Sequence, residues 1–464
     1  MSARVVVVGA GPVGTLLAIM LARLGMQVDL LEARTDSRIH DVYEGRSINI
    51  ALSERGWLAL SRIGADEAVR AVSLPMSARA MHDRDGAVTR QPYGQPGQAI
   101  WSVSRAAVNE VLLNMADQEP NITLHFEAVL AAIDLPSRRA FFTRPEHSDL
   151  ELSFDYLFGA DGANSKVRRL LAVDHGAEVN VRRMGHSYLE LNMPPAIDGS
   201  HALAKDALHI WPRGNYMLIA LPNPDGSMTA TAFLPDEGAN SFASLSERRA
   251  VEAMFDQDFA DARPLLERPV QRFLETRPSL LALAEVSRWV FAGRVALIGD
   301  SAHAIVPFYG QGLNCGFEDC RAFGDLFADY EGDWARTLAA YETVRKPNAD
   351  ALSELAMQNF TEMSELSGRP EFLLQKTIER DFHRAHPELW VPLYTQVTFL
   401  PEVSYSEALA AGVRQQKIMD QVMALPWVAN ADRSAEVQQF LLDLVTNHHH
   451  DRKQPPPARL GEER

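Results

Sequence analysis

The start of the chain contains the pattern that most restricts its fold. RVVVV at residues 4–8 is an uninterrupted apolar run, typical of a parallel strand that is buried on both faces. An apolar-rich segment from Thr15 to Leu24 suits a helix, and QVDLLE at 27–32 suits a second strand. The order strand, glycine turn, helix, strand predicts a βαβ unit, and therefore an α/β domain with a parallel sheet.

Three glycines, Gly9, Gly11 and Gly14, form GxGxxG between the first predicted strand and the helix. There the backbone can approach a pyrophosphate closely, and the helix N-terminus offers free N–H groups. Glu32 ends the second strand, where its carboxylate can bind a ribose 2′-hydroxyl and would repel the 2′-phosphate of NADP. A tight turn without a ligand is the structural alternative, and the motif leaves both NAD and FAD open.

The composition is that of a soluble protein with room for more than one domain. The 464 residues are 46% hydrophobic and 23% charged, which disfavours disordered and fibrous classes. A net charge of -16 disfavours nucleic acid as a partner, because such binding depends on Lys and Arg. The first apolar stretch, at 5–25, is long enough to suggest a signal or membrane segment, but its glycines, its proline and the lack of a basic leader argue against one. No other window holds about 18 uninterrupted apolar residues. Cys315 and Cys320 predict no disulfide framework, so we expect a cytoplasmic protein.

Two further turns follow predicted strands later in the chain. In YLFGADGANSKVRRLL, at 156–171, Asp161 and Gly162 come directly after an apolar strand. GRVALIGD, at 293–300, is again a buried-strand pattern, and the glycine-rich stretch VPFYGQGLNCG follows it at 306–316. An acid after a strand can hold a sugar hydroxyl, and a helix N-terminus can stabilise negative charge on a reduced ring.

These three turns, in this order, resemble the single-component FAD-dependent aromatic hydroxylases. The resemblance implies that the first turn binds the ADP half of FAD, and that NADPH binds transiently as a co-substrate, since no second Rossmann unit is visible. It also implies the following cofactor-binding residues: Gly9, Gly11, Gly14 and Glu32 for the ADP half, Arg105 for the flavin, Asp161 and Gly162 for FAD and NADPH, Asp300 for the ribityl chain, and Gly310 and Gly312 near the flavin ring.

We therefore expect an α/β fold with a Rossmann-like FAD-binding domain, an inserted antiparallel-sheet substrate domain and a C-terminal helical region. The predicted boundaries are 1–72, 96–180 and 285–325 for the FAD-binding domain, 73–95 and 181–284 for the substrate-domain sheet, 326–447 for the helical region and 448–464 for a disordered tail. The sequence shows no internal repeat.

Three longer stretches, at 45–56, 209–223 and 303–320, are similar to one branch of this family, whose members hydroxylate an amino acid with an aniline ring. Its animal members carry a C-terminal membrane anchor, and residues 405–464 contain no such segment, which predicts the soluble, bacterial type. The resemblance implies these substrate-binding residues: Arg79 and Tyr93 for the carboxylate, Asn359 and Glu362 as a polar pair on one helix face, Tyr405 as a further contact, and Phe233, Phe308, Tyr309 and Met363 as the apolar wall.

The resemblance also implies the reaction. NADPH reduces the flavin, O2 then adds to give a C4a-hydroperoxide, and its distal oxygen attacks the electron-rich ring. Because the flavin performs this chemistry, we expect no catalytic side chain and no metal. His303 is interpreted as a structural residue, and the histidines at 448–450 as part of the tail.

Two alternatives stay open. A phenolic hydroxylase of the same family would need a relay that ionises the phenol, and the sequence shows no clear one. A carrier protein with the same fold would bind no flavin and catalyse nothing. The expected partners are the aromatic amino acid, O2 and NADPH, with no nucleic acid and no membrane, and a homodimer is considered for the assembly.

Overall fold

The computed structural model describes residues 2–39, 49–366 and 369–453. Within them the βαβ unit predicted at the start of the chain is confirmed, and Val5 to Val8 of its first strand are buried. Pro12 begins the helix, a position where its missing N–H removes no hydrogen bond. Residues 45–48, which begin the first of the three stretches that are similar to one branch of the family, lie outside the described residues.

The strands follow one another through the first two thirds of the chain. Within the described residues they are β1 (Arg4–Val8), β2 (Gln27–Leu31), β3 (Asn49–Leu52), β4 (Ser73–Met76), β5 (Ala78–His82), β6 (Val88–Pro92), β7 (Ile100–Ser104), β8 (Ile122–His125), β9 (Val129–Asp134), β10 (Arg139–Thr143), β11 (Leu150–Ser153), β12 (Tyr156–Gly159), β13 (Val179–Met193), β14 (Ala207–Pro212), β15 (Met217–Pro222), β16 (Met228–Pro235), β17 (Ser279–Val286), β18 (Val290–Phe291) and β19 (Val295–Leu297).

Helices dominate the remainder. In the same described ranges they are α1 (Pro12–Arg23), α2 (Glu54–Ser61), α3 (Asp66–Ala71), α4 (Arg105–Asp117), α5 (Lys166–His175), α6 (Arg248–Asp258), α7 (Pro269–Glu275), α8 (Asp300–His303), α9 (Gly312–Asp329), α10 (Trp334–Thr361), α11 (Pro370–Ala385), α12 (Leu393–Phe399), α13 (Tyr405–Met423) and α14 (Ser434–Lys453). A π-helical turn, Glu362–Leu366, directly follows α10.

A six-stranded sheet in the order β18-β19-β12-β1-β2-β8 forms the nucleotide side of the fold. All its neighbours are parallel except β18 and β19. Because β1, β12 and β19 are adjacent, the three turns recognised in the sequence follow neighbouring strands. Ligands of open parallel sheets bind outside the carboxyl ends of the strands. The topology therefore brings Gly9, Asp161 and Asp300 to one edge.

A second sheet of seven strands, in the order β17-β13-β16-β15-β14-β5-β6, carries Arg79 on β5. The antiparallel sheet predicted here is instead mixed, because β5 runs parallel to β14, with Arg79 opposite Leu208. Parallel neighbours require a long crossover, which the chain between these two strands supplies. Smaller sheets, β11-β10-β9 and β3-β7-β4, complete the strands. The domain boundaries themselves stay a prediction.

The seven-stranded sheet is covered on both faces. Trp211 and Leu218 pack toward α6 and α7, whereas their neighbours Ile210 and Met217 pack against the C-terminal helices. This alternation follows from the two-residue period of a strand. The face toward the C-terminal helices also holds the aromatic residues of the candidate site.

The end of the chain differs from the expectation. The helix α14 runs to Lys453, so the tail predicted from residue 448 is wrong for 448–453, and 454–464 lie outside the described residues. Leu441 and Val445 are buried against Phe382 and its neighbours, and a helix anchored in this way can continue because no proline lies between Ser434 and Pro455. No helix in the described ranges is long and apolar enough to cross a membrane.

Candidate active site

The first glycine turn is closed so tightly that side chains would not fit. A Cβ on Gly14 would lie 2.0 Å from the carbonyl oxygen of Gly9, and one on Gly9, whose φ is +109°, would lie 2.5 Å from the carbonyl oxygen of Ala160. Gly11 is the N-cap of α1 and offers no side-chain cap. The first N–H groups of the helix are therefore open toward an anion, as a pyrophosphate requires.

Glu32 and Arg105 flank this helix end. The N–H of Ala10 donates to Glu32 Oε2 at 3.2 Å, and Arg34 Nε donates to Oε1 at 3.1 Å. The side chain of Arg105 is exposed and forms no hydrogen bond or ion pair within the described part of the chain, and its Nη2 lies 3.9 Å from where a Cβ of Gly11 would be. A shallow cleft joins these residues. An acid, a cation and open N–H groups fit the ribose and pyrophosphate of FAD.

The second turn is joined to the third by Ser301. Asp161 Oδ2 accepts the N–H groups of Lys166 and Val167, at 2.6 and 3.0 Å, while Oδ1 accepts from the hydroxyls of Ser165 and Ser301. Asp161 thus supplements the N-cap Ser165 of α5, a structural role that the resemblance did not imply and that the serine before the helix could have signalled. The N–H of Gly162 donates to the hydroxyl of Ser301 at 3.0 Å.

The third turn leaves an acid free. Asp300 begins α8, and its carboxylate accepts no hydrogen bond among the described residues, so it can serve a ligand hydroxyl. Gly310, with a φ of +67°, ends the 3-10 turn Pro307–Tyr309, and Gly312 begins α9. The structure thus brings Gly310 and Gly312 to the N-terminus of an 18-residue helix.

Behind this turn lies a set of buried charges, which we call the buried ion network: Arg55, His303, Glu318, Asp319 and Arg345. Asp319 Oδ2 accepts the N–H of Gly299 at 3.1 Å and contacts His303 Nε2 at 2.6 Å, while Arg345 Nε donates to Oδ1 at 2.7 Å. Burial alone would lower the pKa of His303, but Cys315 and Asp319 raise it well above its ordinary value. The structural role predicted for His303 agrees with these contacts.

Arg55 connects this network to the C-terminal helices. Its guanidinium donates to Glu318 Oε1 at 2.9 Å and to the carbonyl of Val397 at 2.8 Å. It also donates to the carbonyls of Leu400 and Val403, beyond the end of α12. Arg55 is fully buried, so these bonds replace all of its contact with water.

The substrate end of the site is built around Arg79. Its guanidinium carbon lies 5.3 Å from the ring centre of Tyr93 and 4.6 Å from that of Tyr394. Tyr394 stacks between Tyr93 and Tyr309, with ring centres 5.3 and 5.5 Å apart. Burial alone would lower the pKa of Arg79, but Tyr394 and Tyr93 raise it above its ordinary value, so the guanidinium stays charged.

Polar atoms at this end are left without partners. Arg79 Nε and the Tyr93 hydroxyl are buried, and neither forms a hydrogen bond of ordinary geometry with a described residue. Burial raises the pKa of Tyr93 well above its ordinary range, so its hydroxyl stays protonated and can donate. Buried donors without partners are costly, and such groups are typical of sites that receive a ligand.

The predicted polar pair separates into two roles. Asn359 is buried, and its Nδ2 donates to the carbonyl of Phe308 at 2.7 Å, which holds the loop before α9. Glu362 is partly exposed, and its Oε1 lies 3.9 Å from Arg79 Nη1. Phe233 and Met363, with Phe308 and Tyr309, belong to one buried apolar cluster, and their role as a substrate wall stays a prediction.

The structure places Tyr405 and Tyr394 differently from the expectation. Tyr405 lies under Arg55, 4.1 Å from its guanidinium carbon to the ring centre, and its hydroxyl donates to Gln311 at 3.2 Å. The tyrosine that contacts Arg79 together with Tyr93 is Tyr394 on α12, which sequence reasoning missed. An aromatic residue in a helical pattern is as typical of a core as of a site, so LYTQVTF carried no signal for it.

Comparison with known proteins gives a consistent family. The family model described as FAD binding domain matches residues 2–356. A kynurenine 3-monooxygenase of Christiangramia forsetii is 40% identical over 442 residues, which cover 95% of this chain and 98% of the relative. A second kynurenine 3-monooxygenase, of Stenotrophomonas maltophilia, is 42% identical over 405 residues, 87% of this chain and 88% of the relative.

Solved structures share the fold at lower identity. The tetrameric form of 2-methyl-3-hydroxypyridine-5-carboxylic acid oxygenase has a TM-score of 0.63 at 21% identity, covering 82% of this chain and 97% of that one. PqsL of P. aeruginosa, in complex with 2-aminobenzoylacetate, has a TM-score of 0.64 at 18% identity, covering 78% and 97%. Both bear out the predicted α/β fold with a C-terminal helical region.

Proposed function

We infer how this chain works from one premise: it belongs to the kynurenine 3-monooxygenase family of FAD-dependent aromatic hydroxylases. It is a flavoprotein monooxygenase with FAD as cofactor. The phenolic hydroxylase and the flavin-free carrier considered from the sequence are not favoured by the names of these relatives. The substrate that the relatives' name gives, L-kynurenine, is the substrate we propose here, converted to 3-hydroxykynurenine.

The chemistry that bound FAD supplies is the transfer of two electrons from NADPH to O2 and of one oxygen atom to the substrate ring. The residues that would hold it are those of the three turns. The open helix end at Gly11 would bind the pyrophosphate, Glu32 would bind the adenosine ribose, and Asp300 would bind a hydroxyl of the ribityl chain. Arg105, exposed beside Gly11, adds a positive charge that supports an anionic cofactor.

The observation that carries the substrate proposal is the cation at Arg79, where Arg79 Nε and the Tyr93 hydroxyl form no hydrogen bond of ordinary geometry with a described residue. Kynurenine has a carboxylate, and a planar guanidinium beside a phenolic donor suits that group. Tyr93 donates through its protonated hydroxyl, and Tyr394 closes the stack. These residues bind and orient the amino-acid end, which fixes the position of the ring.

The aromatic end of the substrate needs an apolar, dry surface. Phe233, Phe308 and Met363 provide it, and Asn359 keeps Phe308 in place through its carbonyl. Excluding water here protects the oxidant from side reactions. The amino group of an aniline already activates the ring, so no side chain has to remove a proton before oxygen transfer. We therefore assign no catalytic acid or base.

The test is purification with bound FAD followed by NADPH oxidation with and without L-kynurenine. The expected result is a yellow protein, NADPH consumption stimulated by the substrate, and a product one oxygen atom heavier by mass spectrometry. A colourless protein that does not take up added FAD contradicts the proposal. A yellow protein that hydroxylates a phenol and leaves kynurenine unchanged supports the phenolic alternative.

NADPH and O2 as co-substrates, a homodimer and a cytoplasmic location complete the proposal. Cys315 and Cys320 are buried and unpaired, which agrees with a reducing compartment. Fractionation of cells that express the protein tests the location, and sedimentation of the purified holoenzyme tests the assembly.

A further inference from the structure

Three charged side chains form a row beside the proposed carboxylate site, which we call the charged row: Arg79, Glu362 and Lys376. Glu362 Oε1 lies 3.9 Å from Arg79 Nη1, and its Oε2 lies 3.7 Å from Lys376 Nζ. The three residues come from β5, the π-helical turn after α10, and α11. Both distances exceed those of hydrogen bonds, so each pair is held by charge alone.

The row matches the head group of an α-amino acid, which carries a carboxylate and an ammonium group on one carbon. Arg79 offers the cation and Glu362 the anion that this pair of charges needs. Glu362 does not face the ligand as a full negative charge, however, because the ammonium group of Lys376 lies beside it and neutralises part of that charge. Lys376 is itself shared with Glu379, whose Oε2 lies 3.6 Å away.

We propose that Lys376 is a specificity-determining residue, whose cation stands in for the substrate ammonium at Glu362, so that the site also binds carboxylates that lack the α-amino group. This inference rests on the proposed function. With Lys376 present, the formal charges of Arg79, Glu362, Lys376 and Glu379 cancel, and a carboxylate meets no net repulsion. Without Lys376, two carboxylates remain beside one cation, which favours an ammonium-bearing ligand and disfavours a simple anion.

The expected size of the effect follows from exposure. The side chains of Lys376 and Glu362 are 41% and 32% exposed, so solvent screens their interaction. A change in relative affinity of roughly 3- to 10-fold is the scale expected for such a pair. The effect should shrink as salt is raised, because ions screen charges at this exposure.

The experiment compares two ligands in the FAD-loaded enzyme. The first is L-kynurenine, whose KM is measured by NADPH oxidation. The second is desamino-kynurenine, in which hydrogen replaces the α-amino group, measured as the Ki for competitive inhibition. In Lys376→Met we expect the Ki of the analogue to rise about 3- to 10-fold, while the KM of kynurenine stays the same or falls.

Two variants serve as controls. Lys376→Arg keeps the charge and should keep the wild-type ratio of Ki to KM. Lys346→Met removes a lysine of α10 that is paired with Asp350 at 2.7 Å, and should leave both constants unchanged. An unchanged ratio in Lys376→Met overturns the inference, and so does an equal rise of Ki and KM, which would mean that Lys376 only supports the shape of the site.

The failure of the proposed function looks different from the failure of this inference. If the wild-type holoenzyme neither oxidises NADPH faster with kynurenine nor forms a hydroxylated product, the function is wrong, and this inference is overturned with it. If the wild-type enzyme performs the reaction and the ratio does not respond to Lys376→Met, only the role of Lys376 is wrong.

Discussion

The buried ion network and the charged row both join charged residues from several elements, but they differ in burial and in the distances between opposite charges. In the network, Asp319 contacts His303 and Arg345 at 2.6 and 2.7 Å, and all of its members are buried. In the row, Glu362 lies 3.7 Å or more from its partners, and Arg79 keeps an unpartnered Nε. Although His303 Nδ1 and Glu318 Oε2 form no hydrogen bond of ordinary geometry with a described residue, each member of the network has an opposite charge within 3.2 Å, whereas the row leaves gaps that a ligand can fill.

The largest effect should come from breaking the network at Arg55. Arg55→Met leaves Glu318 and the carbonyls beyond α12 without their buried donor, so we expect a loss of about 3–5 kcal/mol of unfolding free energy. Denaturant unfolding measures it. Arg55→Lys keeps the charge but loses the several N–H donors of the planar guanidinium. Its unfolding free energy should therefore lie between those of the wild type and Arg55→Met.

The matched control is Arg62 on the C-terminal side of the same helix, which pairs with Asp325 at 2.6 Å while 55% exposed. Arg62→Met should cost less than about 1 kcal/mol. Similar losses in Arg55→Met and Arg62→Met would remove the distinction between network and surface pairs.

In the charged row, the corresponding change should affect binding and spare stability. Arg79→Met removes the cation for the carboxylate, so we expect the KM of kynurenine to rise about 10- to 1,000-fold, or about 1.5–4 kcal/mol. Unfolding should change little, because few bonds of Arg79 are lost. Arg90→Met, on the neighbouring strand and paired with Asp206 at the surface, is the control for KM. An unchanged KM in Arg79→Met would exclude this residue from the site.

The network should also give stability a pH dependence that the row does not share. The raised pKa of His303 means that the folded state keeps a proton that the unfolded state loses above about pH 6.5. Its stabilisation is therefore complete below that pH and is lost as pH rises toward the folded pKa. The slope should approach about 1.4 kcal/mol per pH unit. Denaturant titrations at several pH values measure it, and wild-type and His303→Gln curves that run parallel would contradict it.

The smallest expected effect separates the two tyrosines. Tyr394→Phe keeps the stacked ring but removes the hydroxyl beside Arg79, so the KM of kynurenine should rise about 3- to 10-fold. Tyr405→Phe removes a hydrogen bond to Gln311, so it should cost about 1 kcal/mol of stability and leave KM unchanged. Steady-state kinetics and unfolding of both variants decide the assignment. A rise in the KM of kynurenine in Tyr405→Phe, with no rise in Tyr394→Phe, would instead show that Tyr405 contacts the substrate.

What could be predicted from the sequence was what local patterns encode. The apolar run at 4–8, the glycines after it and the helix that follows depend on neighbours within one βαβ unit, and the structure confirms them. The four residues proposed for the apolar wall were implied by the family resemblance, and the structure places them in one buried cluster. Asp161 shows the limit of that route, because its capping bonds to α5 were not implied by family likeness.

What could not be predicted depends on contacts between distant segments. Tyr394 meets Arg79 only because α12 packs over the mixed sheet, and no periodicity in the chain encodes that stack. The parallel pairing of β5 with β14 likewise joins strands far apart in sequence. The continuation of α14 to Lys453 was not predicted, because the polar histidines at 448–450 are typical of a tail. The buried residues that hold this helix in place, Leu441 and Val445, come before them.

The bond from Gly299 to Asp319 has a consequence for how the protein is made. The turn before Asp300 takes its shape from Asp319, whose Oδ2 contacts His303 but whose Oδ1 gains its hydrogen bond from Arg345 only once that residue is in place. On the ribosome, the glycine turn at the start of the chain emerges long before that arginine. We expect the nascent chain to accept its cofactor late, when three quarters of it have been synthesised, so that loading completes folding and does not initiate it.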